Sequence, residues 1–414
     1  MAHPFKGWMA AERELQFISE RFREFYAERG IETPREMERR EFGFIPFGAK
    51  MMFRHISFST PEALRRYLIE NAPAHAYYSS AYYENPEAEM ERKGWLGADL
   101  IFDIDADHIE TPCKAEHDRW RCKDCGFEGR GETPERCPRC GGTSFEEEKW
   151  ICPRCLEAAR HEAQKLLDIL ISDFGFSPRE ELEVNFTGHR GYHIHVSSPN
   201  IRELDQPARR EIVDYILGTG IKAELHGFRP SAQSLTLSEG GWRGRLIRAL
   251  YDYLEEADLK ELMDAGLSRA TATKLMEMRE RILRLLREGR PGLLLRLIRR
   301  RTLDKLVEAA VGREASAIDT VVTTDLHRLI RLPGTLHGKT ALIAQRVSVE
   351  GLDDYDPLIE AVAFKGGSLK VYVEGAPRFS IGGAQYGPYE GEEMEMPLEA
   401  ALYLLCRGAA RLVG

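Results

Sequence analysis

The sequence predicts a mixed α/β protein whose core carries a cysteine-rich metal module and a helical subdomain. Three observations predict it. Apolar segments of strand character that carry acids or histidines recur far apart, at Leu100–Asp105, Glu183–Ser197 and Ile318–Thr323. Seven of the eight cysteines crowd between Cys113 and Cys155. From about residue 207 to 312 the periodicity is mostly helical. With 414 residues, 43% of them apolar, the chain can bury a large core in two or three domains, which excludes disorder and a small disulfide scaffold. Lys plus Arg number 58 against 67 Asp plus Glu, a net charge of -9, so any nucleic-acid site must be a local patch. The opening MAHPFKGWMAAERELQF lacks an apolar signal core, and no run approaches the ~18 apolar residues of a membrane span. The reading is a cytoplasmic protein with no membrane contact.

In chain order, Leu15, Phe17, Ile18, Phe22, Phe25 and Tyr26 fall at helical spacing and the pattern stops at Gly30. REFGFIPFGAKMMFRHISFS mixes aromatics with turn residues, and PEALRRYLIENA opens with Pro61 at a helix start. The first apolar strand is expected at Leu100–Asp105. A helix resumes over 156–174, and Glu183–Phe186 and Tyr192–Ser197 read as strands joined by the turn Thr187–Gly191. Leu275, Met278, Ile282, Leu285 and Leu286 share one helical face, and residues 269–301 hold 11 Lys or Arg against 3 Glu. That stretch is either a solvated face or a template contact. Strand texture returns at Ile318–Thr323, Leu342–Val349 and Ser368–Val373, and EGEEMEM reads as an acidic turn before a last helix. The domains expected are a core over 1–111, 156–205 and 313–414, a zinc-binding insertion over 112–155, and a partly basic helical subdomain over 206–312.

In Leu100-Ile101-Phe102-Asp103-Ile104-Asp105 the period of two sets Leu100, Phe102 and Ile104 on one face and both acids on the other, roughly 6.5 Å apart. Carboxylates so placed repel unless cations lie between them, as in two-metal phosphoryl transfer. Two solvated acids are the blander reading of this motif alone. Asp107 and His108 read as turn or supporting groups. Thr187-Gly188-His189-Arg190-Gly191-Tyr192-His193-Ile194-His195 combines a tight turn, an Arg suited to phosphate and two His on one strand face. In the third segment Asp319 and Asp325 are both candidate metal acids, and spacing does not choose between them. Arg331, His337 and Lys339 gather around Pro333-Gly334, where they suit a triphosphate or simply solvent.

Cys122-x-x-Cys125 and Cys137-x-x-Cys140 have zinc-ribbon spacing, with a glycine after each knuckle. Cys113, His117, Cys152 and Cys155 remain outside it, so seven Cys and one His make two sets of four. Lone Cys406 reads as a core residue.

Together IFDID, TGHRGYHIHV and IDTVVTTDLHRLIRLPGTLHGKT closely resemble the three motif segments of the catalytic small subunit of archaeal and eukaryotic DNA primases. REFGF, FRHISF and KGWLGADLIFDIDADH read like archaeal members. The resemblance spans most of the chain and is weakest between about 205 and 312. It implies a primase-type catalytic core around an antiparallel-leaning sheet. It makes Asp103, Asp105 and Asp319 the acids that bind two Mg²⁺ or Mn²⁺, and Thr187, Arg190, His193, Arg331 and His337 the nucleotide-binding residues. Thr187 stands where the family usually has Ser and keeps the hydroxyl. Cys113-x-x-x-His117 with Cys152 and Cys155 resembles the family's structural Zn²⁺ site, and the ribbon is an extra hairpin inserted in that loop. The activity implied is template-directed synthesis of short primers with pyrophosphate release. The partners implied are a single-stranded DNA template, nucleoside triphosphates and a primase large subunit in a heterodimer. Rival readings are a primer-extending repair polymerase of the same superfamily, a metal-dependent nuclease, and a non-catalytic zinc-ribbon nucleic-acid adaptor.

Overall fold

The computed structural model describes residues 12–229 and 237–413. They divide into two compact units, one of residues 12–161, 178–206 and 319–413, the other of residues 162–177, 207–229 and 237–318.

The first unit is built on two four-stranded antiparallel sheets. One runs in the order Gln345–Val347, Leu182–Phe186, Gly191–Val196, Leu100–Asp105. Its register lines residues up in rows. Val184, Ile194 and Phe102 form one row of the apolar face, and Phe186, Tyr192 and Ile104 the next, all fully buried. On the opposite face Asn185, His193 and Asp103 form a row, with Asp105 beside Gly191. Alternation therefore gives the strand an anchoring face and a chemical face. The other sheet runs Leu329–Arg331, His75–Ser79, Phe42–Ile45, Phe53–Ile56, and sets Arg331 directly opposite Tyr77. Arg40 links this sheet to the acid strand, because its buried guanidinium binds Asp99 (2.6 Å) and the carbonyls of Ser79 (2.9 Å) and Ser80 (2.8 Å).

Several sequence expectations need correction. Leu100–Asp105 is not the first strand, since five short strands precede it between Phe42 and Ala98. They interrupt one another with turns too often for period-two runs to show. Asp319 does not sit in a strand: it N-caps the short helix Thr320–Thr324, its carboxylate accepting the N–H groups of Val321 (2.8 Å) and Val322 (3.4 Å). The cap overrides the strand preference of a β-branched run. The third strand near Leu342–Val349 narrows to Gln345–Val347, with Leu342 and Ile343 in isolated bridges. EGEEMEM is not a turn, because Glu392–Pro397 is an edge strand with Met394 and Met396 facing inward and glutamates outward. A charged edge resists pairing with a second chain. This strand, Ser368–Val373 and Ala410–Leu412 form a small sheet that contacts the last helix, Leu398–Cys406, where Cys406 is buried.

The second unit is helical. Ser268 caps Arg269–Glu277, Asp258 and Glu261 form a capping box on Leu259–Asp264, and Met278 breaks the predicted continuous face into two helices. Its core holds Leu246, Leu250, Ile282, Leu286, Leu294 and Leu306, all fully buried. Arg281, Arg284, Arg290 and Arg299 of the basic stretch are exposed. Among the described residues no helix is long and apolar enough to cross a membrane.

Candidate active site and metal centres

Three chain segments meet at the acid strand. The Asp319 N–H donates to the Asp103 carbonyl (2.9 Å), which brings the third acid against the strand from a distant part of the chain. His193 Nε2 lies 3.4 Å from Asp103 Oδ1. Burial alone would raise Asp103, but His193 and the more distant Arg328 outweigh it and hold the carboxyl below its ordinary pKa. Asp105 moves the other way, raised by burial and then by the charges of Asp107 and Asp103. A pair of acids held apart in this manner is relieved by a cation, which is the fit expected of a divalent-metal site. Asp325 turns its carboxylate to its own loop, accepting the His327 N–H (2.9 Å).

The second sheet holds a buried cation. Arg331 is buried, and its Nη1 lies 3.0 Å from His75 Nδ1 while Nη2 donates to the Tyr77 hydroxyl (3.1 Å). Among the described residues no carboxylate pairs with it. The His337 ring lies 4.7 Å from that of His75 and 4.9 Å from that of His189. Burial, reinforced by Arg331 and Lys339 at His75 and His337 and by Arg407 and Arg190 at His189, holds all three histidines well below their ordinary pKa, so they are neutral at pH 7. Gly188 makes the closure possible. Its φ is +78°, and a Cβ there would stand 2.8 Å from the Cβ of His337. Thr340 Oγ1 clamps the same turn by donating to the Gly188 carbonyl (2.6 Å). A buried guanidinium with only neutral partners is costly unless an anion completes it.

Arg190 stands elsewhere. It is fully buried, with Nη1 3.2 Å from Asp118 Oδ2 and Nε 3.1 Å from Asp107 Oδ1. Burial works against its charge, and Asp107 and Asp118 outweigh it, so its pKa is raised. The geometry therefore gives this guanidinium two carboxylate partners within the chain. Thr187 shapes the turn, its hydroxyl accepting the His189 N–H (3.3 Å).

Both cysteine sets are assembled. Cys113 Sγ is 3.5 Å from the sulfurs of Cys152 and Cys155, and Cys155 Sγ is 3.4 Å from His117 Nε2. In the ribbon, Cys122 lies 3.6 Å from Cys140 and Cys125 lies 3.6 Å from Cys137. Zn–S bonds of about 2.3 Å in a tetrahedron require sulfurs roughly 3.8 Å apart, so both sets fit zinc. Gly126 and Gly141 close the two knuckles at φ +71° and +75°, their N–H groups donating to the Cys122 and Cys137 carbonyls (2.9 and 2.8 Å). The ribbon knuckles stand on a three-stranded sheet of Glu128–Arg130, Arg119–Cys122 and Phe145–Glu148.

Sequence reasoning missed His75, Tyr77 and His189 as pocket residues and Asp118 and Lys149 as partners of the Arg190 region. His75 and Tyr77 alternate along one strand, a period-two signal hidden in the aromatic run AHAYYS. Asp118 and Lys149 carry no local signal, because only the fold brings them to Arg190.

One unit thus brings together an antiparallel sheet with clustered acids, a buried arginine with histidine and tyrosine partners, and two cysteine sets that fit zinc, the features that the resemblance leads one to expect of a nucleotidyltransferase. Comparison with known proteins agrees. A model of the DNA primase small subunit matches residues 133–349. The DNA primase small subunit of Methanococcoides burtonii is 33% identical over 418 residues, covering 95% of this chain and 97% of its own. Those of Methanospirillum hungatei and Archaeoglobus fulgidus are each 34% identical, over 96% and 95% of this chain and 97% of theirs. The chain belongs to the DNA primase small subunit family, which provides the catalytic subunit of the archaeal primase.

Proposed function

We propose that this chain synthesises short primers on single-stranded DNA from nucleoside triphosphates, in a heterodimer with a primase large subunit. Asp103, Asp105 and Asp319 would hold two Mg²⁺ or Mn²⁺ ions. Those ions, when bound, supply Lewis-acid charge to the attacking hydroxyl and the α-phosphate, with release of pyrophosphate. His193 restrains Asp103 from the neighbouring strand. Arg331, His337, His75, His189 and Lys339 receive the triphosphate, the neutral histidines donating ring N–H groups and Arg331 its charge. The observation that carries this reading is Arg331, a buried cation with no carboxylate partner among the described residues, set in the same unit as the acid cluster. Soluble zinc-ribbon binding alone would leave that cation unexplained.

The test supplies single-stranded template, nucleoside triphosphates and Mg²⁺ or Mn²⁺, with the large subunit present. Short, template-dependent products that keep a 5′-triphosphate are expected. Asp105→Asn and Asp319→Asn should each lower the rate at least about a hundredfold with the fold intact. Activity lost in Asp325→Asn but kept in Asp319→Asn would reassign the third acid. Products seen only on an annealed primer would favour a repair polymerase, template degradation a nuclease, and binding without synthesis an adaptor.

A further inference from the structure

A continuous chain of polar contacts runs from the Cys113/His117/Cys152/Cys155 centre to Asp105. His117 Nδ1 is 2.7 Å from Asp118 Oδ1, which leaves Nε2 facing the cysteine sulfurs. Asp118 also accepts the Trp150 N–H (2.9 Å) and meets Arg190 Nη1 through both oxygens (3.3 and 3.2 Å). The other edge of the guanidinium reaches Asp107 Oδ1 at 3.1 Å, an ion pair without hydrogen-bond alignment. Asp107 in turn donates its N–H to Asp105 Oδ1 (2.9 Å), and its Oδ2 is held by Lys149 Nζ (2.9 Å). The Arg190 carbonyl accepts the Ala106 N–H (3.1 Å), so backbone and side chain grip the same turn.

We infer that Arg190 is a positioning residue, a strut that couples occupation of the Cys₃His centre to the orientation of Asp105 and hence to the divalent-cation affinity of the acid cluster. The inference rests on the reading that these acids bind Mg²⁺ or Mn²⁺. The planar fork is what the role requires, because one guanidinium reaches two carboxylates on different segments at once and an ammonium does not. Coupling of this kind is reciprocal: whatever the centre does for the acids, a cation on the acids must do for the centre. Partners that orient a ligating histidine commonly change metal affinity by about 10- to 100-fold.

The test compares zinc-loaded full-length protein with Arg190→Lys and with Asp107→Asn, an isosteric change that keeps the inference open to refutation if Arg190→Lys folds poorly. Zinc release to a chromogenic chelator is followed with and without saturating Mg²⁺, and Mn²⁺ binding is titrated by EPR. In the wild type Mg²⁺ should slow release of one of the two zinc ions, and Asp103→Asn should abolish that protection. In both strut variants one zinc should leave at least about tenfold faster, Mg²⁺ should no longer protect it, and Mn²⁺ should bind more weakly. Wild-type release rates with wild-type Mg²⁺ protection in both variants would overturn the strut. Mn²⁺ that binds Asp103→Asn as well as wild type would overturn the coupling through the two-metal reading itself, while faster zinc release in Arg190→Lys would still mark the contact with the zinc centre.

Discussion

Arg190 and Arg331 are both buried arginines in motifs that suit phosphate, and the chain surrounds them in opposite ways. Arg190 lies between Asp107 and Asp118, whereas Arg331 has a tyrosine, a histidine and, among the described residues, no acid. The first guanidinium has charged partners within the chain, and the second, on the function proposed above, takes its anion from the triphosphate. A buried guanidinium therefore signals a ligand by what is missing around it, not by its own identity.

The largest expected effect contrasts the two arginines directly. Arg190→Met should destabilise the protein by about 3 kcal/mol, since it removes the cation shared by two carboxylates, one buried and one partly exposed, and leaves them only His117, the Trp150 N–H and Lys149. Arg331→Met should leave the ligand-free protein as stable as wild type or more so, because it removes a charge that no carboxylate compensates. Urea denaturation of both variants without nucleotide checks the pair, and equal losses would erase the distinction.

Kinetics sharpen it next. Arg331→Ala should lower kcat/KM for nucleoside triphosphate by roughly 1.5 to 3 kcal/mol, the scale of a lost charge-assisted hydrogen bond, with template affinity and zinc content unchanged. An unaltered nucleotide dependence would return Arg331 to a packing role.

The two regions should also fail at different pH. His75, His189 and His337 have pKa values depressed below the 6.5 of an unfolded histidine, so the unfolded chain binds more protons as pH falls past that point. Stability from the pocket is thus present above about pH 6.5 and lost as pH falls toward the folded values. Asp118 is depressed below the usual carboxylate value, burial being outweighed by His117 and Arg190, so its contribution persists until pH falls below 3.8. His189→Asn should flatten the loss of stability between about pH 6.5 and 5 in denaturation curves, and a curve parallel to wild type would count against neutral histidines.

The smallest effect on the two arginines is expected from the ribbon centre. Elemental analysis should find two zinc ions per chain, since eight ligands close two sites. Cys122→Ser should lose one of them while the Arg190 contacts and nucleotide use stay near wild type. Loss of both ions would show that the two centres are not independent.

What could be read from the sequence follows from the range of each interaction. The acid strand and its hairpin partner were legible because period-two alternation is local and each strand has one apolar face, as in Phe102 and Ile104 against Asp103 and Asp105. The zinc ligands were legible because knuckle spacing is a local constraint. Arg190's carboxylate partners Asp107 and Asp118 are not legible, because they are distant in the chain and its identity alone suggests only an anion. Asp319 was placed in a strand because five β-branched or threonine residues follow it, and the cap that turns them into a helix depends on one carboxylate orientation that no pattern reveals. The edge strand Glu392–Pro397 did carry its signal, Met394 and Met396 alternating with glutamates, and the density of charge obscured it.

The nesting of the two cysteine sets bears on how the chain assembles. Cys113 and His117 precede the ribbon, and Cys152 and Cys155 follow it. Bringing those outer ligands together across an unstructured segment would cost the entropy of closing a long loop, whereas a ribbon already folded around its own ion shortens the loop to its flanks. The inner hairpin also finishes leaving the ribosome before Cys152 emerges. Were zinc to fill both sets, the inserted module would act as a template for closing the outer clasp around it, and zinc starvation during synthesis would stall maturation at a different stage from zinc removal afterwards.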